Sequence, residues 1–160
     1  MRVLIQRVSN AKVTIEGKVT GEIGRGLLLL VGITHGDTEA ELDWMVSKLS
    51  QLRVFNDTHG KMNLSVQDVN GGVLAISQFT LYGDAKKGNR PSYIEAARPE
   101  VAEPLYDKFC EALGKALGKQ VQRGVFGAHM DVELTNDGPV TLMIDRAPAE
   151  TPGARGDSGA

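Results

Sequence analysis

The first third of the chain alternates apolar and polar residues, which is the pattern of strands with one buried face. In RVLIQRVSNAKVTI the alternation includes Val3 and Ile5, and residues 16–18 then predict a turn into a short partner strand that ends near Gly21. The next segment, GLLLLVGI from Gly26, does not alternate, as expected for a strand covered on both faces. The first third is therefore predicted to be mostly β.

Two helices are predicted by apolar residues that recur at intervals of three and four. The first follows Thr38, whose spacing to Glu41 is that of a capping box. The second begins near Pro99, since proline is tolerated in a first helical turn, and ends near Gly118. The apolar stripes are Leu42, Met45, Leu49 and Leu52 in the first helix and Val101, Leu105, Phe109, Leu113 and Leu117 in the second. Both stripes are typical of helices that pack against a core.

Strands and polar loops make up the rest of the chain. NDTHGKMN is a loop, GGVLAISQFTLYGD from Gly71 is predicted to be a strand, and GDAKKGNRPSY is a glycine-rich basic loop. Two last strands, MDVELT and VTLMID, flank the sequence NDGP. All four of those residues are common in turns, and Pro139 cannot donate to a strand ladder. On these residues alone, a plain hairpin turn is the favoured interpretation.

Length and composition indicate one domain. The 160 residues are enough to bury a core without disulfides, and residues 1–146 are predicted to form it. The segment 147–160, APAETPGARGDSGA, has no large apolar residue and is predicted to be a disordered tail. The single cysteine, Cys110, rules out an internal disulfide and is interpreted as a small buried residue.

Charge and hydropathy restrict the partners. The formal net charge of −2 argues against a general polyanion binder, so a polynucleotide partner would need a local basic patch. No apolar run is long enough to cross a membrane, and the first residues do not have the pattern of a signal peptide. We therefore expect a cytoplasmic protein without a membrane partner.

Several familiar catalytic signatures are absent from the sequence. It has no phosphate-binding loop, no dinucleotide-binding glycine motif, no HExxH and no GxSxG. The three histidines, His35, His59 and His129, are far apart and are interpreted as surface or turn residues. Ser158, in the protease-like GDSGA of the tail, lacks the scaffold that a nucleophile needs. These classes of enzyme therefore lose their usual support.

The stretch SQFTL is more informative, because polar residues interrupt an apolar strand just before the basic loop. As a continuing strand, it would place Ser77 and Phe79 on one side and Gln78 and Thr80 on the other. Two interpretations stay open at this point. The stretch is either an edge strand with one wet face or a strand end whose hydroxyls and backbone N–H groups meet a polar ligand.

Taken together, SQFTL and NDGPVT resemble the two signature motifs of the D-aminoacyl-tRNA deacylase family, bacterial type. The resemblance extends from Met1 to about Ala147 and includes MRVLIQRV, KGNRPS and VFGAHMDVELTNDGPVT. It implies an α+β fold, with strand-rich, barrel-like curled sheets packed with two main helices. It also implies a homodimer with active sites at its interface. The implied activity is proofreading hydrolysis of the ester in D-aminoacyl-tRNA, and in tRNA mischarged with glycine, without metal or cofactor.

The resemblance also assigns roles to particular residues. Backbone N–H groups of Phe79 and Thr80 would form the oxyanion site, with Ser77 and Gln78 positioning the substrate and the terminal ribose 2′-OH assisting. The Gly138-Pro139 peptide would be cis and would reach into the partner's site, where its backbone would reject L-aminoacyl esters by collision. The remaining implied site residues are Arg7, which would brace the Gly-Pro segment, and Phe126, Ala128 and Met130 in a pocket for the terminal adenine. Lys86, Lys87 and Arg90 are candidates for contacts with tRNA phosphates, because three cations within five residues of a glycine-rich loop supply the local basic patch.

Alternative interpretations remain for the residues and for the function. Arg7 could simply lie on an exposed face, Phe126 and Met130 could belong to the core, and the basic loop could be only solvated. Thr80 as a covalent nucleophile is a rival mechanism, although no base for it is evident. The main alternative function is a noncatalytic nucleic-acid-binding module of the same fold, although DNA is not an expected partner. A second alternative is a small-ester hydrolase that uses Thr80 or Ser77.

Overall fold

Strand β1 (Arg2–Ile15) is the centre of the structure, a computed structural model in which residues 1–149 are described. The other strands are β2 (Lys18–Ile23), β3 (Gly26–Gly32), β4 (Phe55–Asn56), β5 (Met62–Leu64), β6 (Gly72–Ser77), β7 (Gln122–Arg123) and β8 (Asp131–Asp145). The helices are α1 (Glu39–Gln51) and α2 (Pro99–Leu117), and a 3₁₀ turn spans Phe79–Tyr82. None of the helices in the described part of the chain is long and apolar enough to cross a membrane.

The main sheet is mixed and nearly closes into a barrel. Its strands follow the order β2-β1-β3-β6-β7, and β8 also pairs with β1. Strand β1 is antiparallel to β2, β3 and β8, whereas β6 runs parallel to both of its neighbours, β3 and β7. The carboxyl ends of β3 and β6 therefore lie side by side. The predicted α+β fold, with curled sheets and two helices, is confirmed.

Both helices begin where the sequence predicts, and the second also ends there. Thr38 and Glu41 form a complete capping box at α1, because each side chain bonds the backbone of the other residue. Pro99 starts α2, and Gly118 ends it with φ of 69°, a left-handed conformation that favours glycine. The predicted stripes face the core, except that Val101 of the second helix is exposed.

The core lies on both sides of β3. Leu27, Leu29 and Val31 belong to the large cluster that includes both helices, and Leu28 belongs to a smaller cluster with Val8. This arrangement confirms that β3 is covered on both faces. Cys110 is 5% exposed and packs in the large cluster, as predicted for a small buried residue.

The predicted strand through SQFTL is wrong beyond Ser77. Strand β6 ends there, and the Leu81 N–H donates to Gln78 C=O at 3.3 Å to start the 3₁₀ turn. The strand is not an edge strand as far as Ala75, where β6 pairs on both sides, but Ser77 pairs only with Val31 of β3. Strand β7 reaches only as far as Ala75 of β6, so local hydrogen bonds replace the ladder after Ser77. Phe79 and Thr80 therefore do not alternate across a sheet.

The predicted hairpin at NDGP is also wrong. Residues on both sides of it pair with the same strand, as Val132 opposite Val13 and Leu142 opposite Ile5 show. The two predicted strands are thus the halves of one strand, β8, which is interrupted by a bulge at residues 137–140. A hairpin would need the halves to pair with each other, but β1, with its 14 residues, is long enough to pair with both.

The segment after β8 runs along the start of α1. The Arg146 guanidinium lies over the Trp44 ring at 4.7 Å, and the Ala149 N–H donates to Glu41 Oε1 at 3.0 Å. Residues 150–160, most of the predicted tail, lie outside the described residues.

Candidate functional site

A cavity of about 580 Å³ opens where β3 and β6 end. Clefts at the carboxyl ends of parallel strands are common ligand sites in α/β sheets, because loops diverge there and leave backbone groups available. Val31 and Ile33 contribute to its floor from the β3 side, and Ser77 contributes from the end of β6. The cavity is mostly apolar, with a small number of polar groups at one edge.

The residues predicted to be catalytic form the turn at that edge. Ser77, Gln78 and Phe79 line the cavity, and the Gln78 side-chain amide donates to Thr80 Oγ1. The first backbone hydrogen bond of the turn is donated by Leu81, so the N–H groups of Phe79 and Thr80 come before the bonded part of the turn. Two successive backbone donors are thus available to a ligand beside the cavity.

An aromatic pair stands at the same edge. The Phe79 side chain is 57% exposed, and its ring meets the ring of Tyr93 edge to face at 5.2 Å between centroids. An edge-to-face contact is a preferred aromatic geometry. The contact with Tyr93 therefore holds the Phe79 ring in place, since the ring is not buried in the core.

The segment between β7 and β8 forms the opposite wall. Phe126, Ala128 and Met130, which the resemblance places at the terminal adenine, line the same cavity as Ser77 and Phe79. Phe126 also lies 6.2 Å from Tyr106 of α2, and Met130 packs against the smaller core cluster. The predicted adenine-pocket residues and three of the four predicted catalytic residues are thus brought together, although they are about fifty residues apart.

Among the other residues that line the cavity, three have polar side chains that the sequence did not mark as site residues: Tyr93, Arg98 and His129. Arg98 is at the N-terminal cap of α2 and places a cation at the rim. Only one sequence signal could have placed Arg98 at the cavity: it comes directly before Pro99, and residues just before a helix start often border a site. His129 is 95% exposed at its side chain and lies 3.9 Å from Asp131.

Gly138 and Pro139 form a separate feature, the bulge of β8 at residues 137–140. Gln6 pairs with Thr141 and Val8 pairs with Asn136, so Arg7 alone faces four residues. The Gly138-Pro139 peptide bond is cis, as the resemblance implies, and Gly138 has φ of 125°. Both residues are exposed, and neither lines the cavity of its own chain.

Arg7 is only 6% exposed, which excludes the interpretation as an exposed face. Its Nη1 donates to Val54 C=O at 2.8 Å, and its Nε donates to Asp137 C=O at 3.2 Å and lies at the same distance from the Asp137 carboxylate. The guanidinium thus ties the first residue of the bulge to the segment after α1. A planar fork of donors suits this geometry, because it can serve several oxygens at once.

The predicted basic residues Lys86, Lys87 and Arg90 are exposed in the loop between Asp84 and Ser92. Asp84 and Ser92 close the loop with two reciprocal backbone hydrogen bonds of 2.8 Å each. The loop begins right after the 3₁₀ turn and ends next to Tyr93, so its cations extend from the cavity edge.

Two titratable groups of α2 are buried in the core but do not line the cavity. Burial raises the pKa of the Tyr106 hydroxyl, which donates to Ala75 C=O at 2.9 Å, and burial also raises the pKa of the Cys110 thiol. Within residues 1–149, no three His, Cys, Asp or Glu side chains cluster as metal ligands would. The expectation of a metal-free reaction stays a prediction.

The fold and the cavity define an α+β protein with a mostly apolar cavity at the carboxyl ends of a parallel strand pair. The family model described as D-Tyr-tRNA(Tyr) deacylase matches residues 4–145. The chain therefore belongs to this family, and the prediction of a deacylase, an ester hydrolase, is confirmed.

Individual relatives agree with this assignment. A protein from Porphyromonas gingivalis named D-aminoacyl-tRNA deacylase is 57% identical over 91% of this chain and 97% of its own length. A protein of the same name from Chloroherpeton thalassium is 59% identical over 91% of this chain and 95% of its own length. A solved structure titled c-Myc DNA Unwinding Element Binding Protein has a TM-score of 0.87 at 42% identity, over 92% of this chain and 99% of that one. A probable eukaryotic D-amino acid tRNA deacylase, at 20% identity, covers 91% of this chain and 98% of its own, with a TM-score of 0.80, and shares the fold.

Proposed function

We propose that this protein hydrolyses the ester of D-aminoacyl-tRNA, and of tRNA mischarged with glycine, to release free amino acid and tRNA in the cytoplasm. Residues 1–146 act as one catalytic unit. The observation that carries the proposal is the pair of free backbone donors at Phe79 and Thr80, placed at the edge of an apolar cavity. Family membership supports an ester as the bond that is cleaved.

Water attacks the ester carbonyl carbon, and the carbonyl oxygen becomes an oxyanion that accepts hydrogen bonds from the Phe79 and Thr80 N–H groups. Collapse of the tetrahedral intermediate breaks the bond to the ribose 3′-oxygen, which takes a proton as it leaves. Ser77 and Gln78 position the substrate, and the adjacent 2′-OH of the ribose assists the proton transfers. Thr80 Oγ1 already accepts a bond from Gln78, which favours a positioning role over that of a nucleophile.

The terminal adenosine occupies the apolar part of the cavity. Phe126, Ala128 and Met130 pack against the adenine, opposite Phe79, since every base offers an apolar face for stacking. Lys86, Lys87 and Arg90 contact phosphates of the acceptor end, because the loop that carries them starts at the cavity edge. The reaction uses neither metal nor cofactor.

Chiral selection comes from a second copy of the chain. Gly138 and Pro139 are exposed and do not line their own cavity, so a homodimer that places them in the partner's cavity would complete each site. Their carbonyl oxygens would bind the α-ammonium, and Pro139 would offer no competing N–H. With ammonium and ester held, an L side chain would strike this backbone, whereas a D side chain would point outward and glycine would pass.

The decisive experiment measures deacylation of D-tyrosyl-, L-tyrosyl- and glycyl-tRNA by the purified protein with a chelator present. We expect rapid loss of the D and glycyl esters with the L ester intact. Survival of all three esters would overturn the proposed activity. Hydrolysis that requires added metal would overturn only the metal-free chemistry.

The dimeric site is tested by mixing two inactive variants, Phe79→Ala and a deletion of Gly138 and Pro139. If each site combines one cavity with the partner's bulge, randomly assorted mixed dimers recover about a quarter of wild-type activity, because half the dimers are mixed and each has one complete site. No recovery after subunit exchange, shown by mass, would exclude sites shared between subunits.

A noncatalytic nucleic-acid-binding module is the second candidate, because a structural relative at 42% identity has a title that names DNA-element binding. It predicts salt-dependent binding of DNA or RNA without ester turnover. The formal charge of −2 argues against a general polyanion binder, and we expect weak DNA binding. A small-ester hydrolase would instead act without tRNA and lose all activity in Thr80→Ala.

A further inference from the structure

The two limbs of the β8 bulge are held by different residues. Arg7 holds the first limb through the carbonyl and carboxylate of Asp137. The second limb contains Val140, whose N–H donates to Asn136 Oδ1 at 3.0 Å. Asn136 and Thr141 are the last paired residues on either side of the bulge. A hydrogen bond between them therefore closes its neck.

That bond is present: Asn136 Nδ2 donates to Thr141 Oγ1 at 2.7 Å. The Asn136 carboxamide thus uses its acceptor inside the bulge and its donor across the neck. Val140 lies opposite no residue of β1, so the Asn136 oxygen replaces the partner that a regular ladder would supply. The carboxamide makes both bonds at once because it carries both an acceptor and a donor.

We propose that Asn136 and Thr141 are positioning residues for chiral selection, which fix the height and direction of the Gly138-Pro139 tip by closing the neck of the bulge. This proposal rests on the proposed function, because the tip matters only if it meets the substrate. Arg7 makes no hydrogen bond to the second limb, where Val140 packs against the large core cluster, so the hydrogen bonds of that limb come from Asn136 and Thr141. A shift of about 1 Å at a reactive or discriminating group is enough to change rates by orders of magnitude, so a loose tip admits L-aminoacyl esters.

The test compares kcat/KM for D-tyrosyl- and L-tyrosyl-tRNA in Asn136→Ala and Thr141→Val. We expect the preference for the D ester to fall by about tenfold or more, chiefly through faster hydrolysis of the L ester. Thr141→Ser keeps the hydroxyl and should restore the preference. Asn136→Asp keeps the acceptor for Val140 and accepts from the Thr141 hydroxyl, so it should retain most of the preference.

Asn10 and Thr135 provide a matched control on the same two strands. Asn10 Nδ2 donates to Thr135 Oγ1 at 3.3 Å, also an exposed Asn–Thr pair, but outside the bulge. Asn10→Ala and Thr135→Val should leave the chiral preference unchanged. The proposal is overturned if Asn136→Ala folds and keeps the wild-type preference for the D ester. If Asn136→Ala does not fold, the same comparison is made with Thr141→Val.

Hydrogen exchange separates this proposal from the proposed function. Exchange of the Val140 amide should be faster in Asn136→Ala than in wild type or Asn10→Ala. If wild-type protein hydrolyses no aminoacyl ester, the proposed function fails, and this measurement alone decides whether Asn136 orders the bulge. Unchanged Val140 exchange would overturn the positioning role even in an active enzyme.

Discussion

A methyl group on Gly138 would lie 3.0 Å from Nη2 of Arg7 and 3.0 Å from Cγ2 of Val140. Approaches this close are rare for real Cβ atoms, so a neighbour would have to move, yet Arg7 is held on two sides by Val54 and Asp137. Gly138 also has φ of 125°, where side chains other than hydrogen are strained. The bulge therefore requires glycine for two independent reasons.

Gly138→Ala should displace the tip of the bulge and lower the preference for the D ester, at a cost of about 1 kcal/mol or more in the free energy of unfolding. Gly17→Ala is the control, because Gly17 also has positive φ, at 79°, but an added methyl group there meets nothing within 4 Å. That variant should lose stability without losing chiral preference. If Gly138→Ala and Gly17→Ala prefer the D ester to the same extent, the predicted collision of the added methyl group with Arg7 is contradicted.

Arg7→Lys should destabilise the protein although it keeps the charge. A single ammonium cannot reach both Val54 C=O and Asp137 C=O, so at least one buried oxygen loses its donor at a cost of about 2 kcal/mol. Arg53→Lys should cost less than about 1 kcal/mol, because Arg53 is exposed and its side chain donates only to Asn63 Oδ1 at the surface. Urea denaturation measures both, and similar losses would argue against the buried fork.

Phe79→Ala should separate activity from stability. The Phe79 side chain is 57% exposed, so its removal should change the free energy of unfolding by less than about 1 kcal/mol. Deacylation should nevertheless fall strongly, because Tyr93 no longer holds the turn and the cavity loses one wall. Met62→Ala, at 54% exposure in β5, should leave activity unchanged. A kcat/KM equal to that of wild type in Phe79→Ala would show that the Phe79 side chain is not part of the site.

Replacing Lys86 and Lys87 by alanine should weaken tRNA binding and flatten its dependence on salt. Removal of one cation that binds a phosphate reduces the slope of log K against log salt by about 1. Arg90→Ala should add to the effect. Lys18→Ala with Lys61→Ala removes the same charge elsewhere and should leave the slope nearly unchanged. A common slope in both double variants would show that the basic loop does not bind phosphates.

Stability should fall in acid through Glu41. Burial raises the pKa of its carboxyl, but hydrogen bonds from the Thr38 side chain and from the backbone of Ala149 and Thr38 lower it from 4.5 to about 2. The folded state thus binds this proton less readily than the unfolded state. The contribution is complete above pH 4.5 and is lost as pH falls toward 2.

Glu41→Gln tests this contribution, because glutamine keeps the size but does not titrate. Its free energy of unfolding should be lower than that of wild type at neutral pH, and the difference should shrink between pH 4.5 and about 2. Glu22→Gln, at an exposed position, serves as the control. A constant difference across this range would show that the charge is unimportant.

The helices were predictable because their signals are local. Thr38 with Glu41, and Pro99 with Gly118, specify ends by bonds and backbone angles within a few residues. The sequence NDGP led to the wrong prediction of a hairpin, because a bulge and a hairpin turn both favour Asn, Asp, Gly and Pro for the backbone angles that these residues adopt. Only the pairing of both flanking strands with β1 distinguishes the two, and pairing partners are not encoded by turn residues.

The site was predictable only where a motif identified it. The motifs SQFTL and NDGPVT identified the 3₁₀ turn and the bulge as parts of the site. The alternation of sides expected for a strand does not continue after Ser77, because β7 is short and pairs with β6 only as far as Ala75. Tyr93 and Arg98, which precede α2, and His129, which lies between β7 and β8, reach the cavity without any shared pattern. Likewise, the burial of Arg7 depends on Val54, which is 47 residues away.

Cys110 makes this chain a convenient host for chemical probes. It is the single cysteine, it is 5% exposed, and burial raises the pKa of its thiol, so little reactive thiolate forms at neutral pH. A cysteine introduced at an exposed loop position, as in Lys87→Cys, would therefore react selectively with a fluorophore or a spin label. Distances between labels in the proposed homodimer, and from a label to bound RNA, could then be measured without first removing a native thiol.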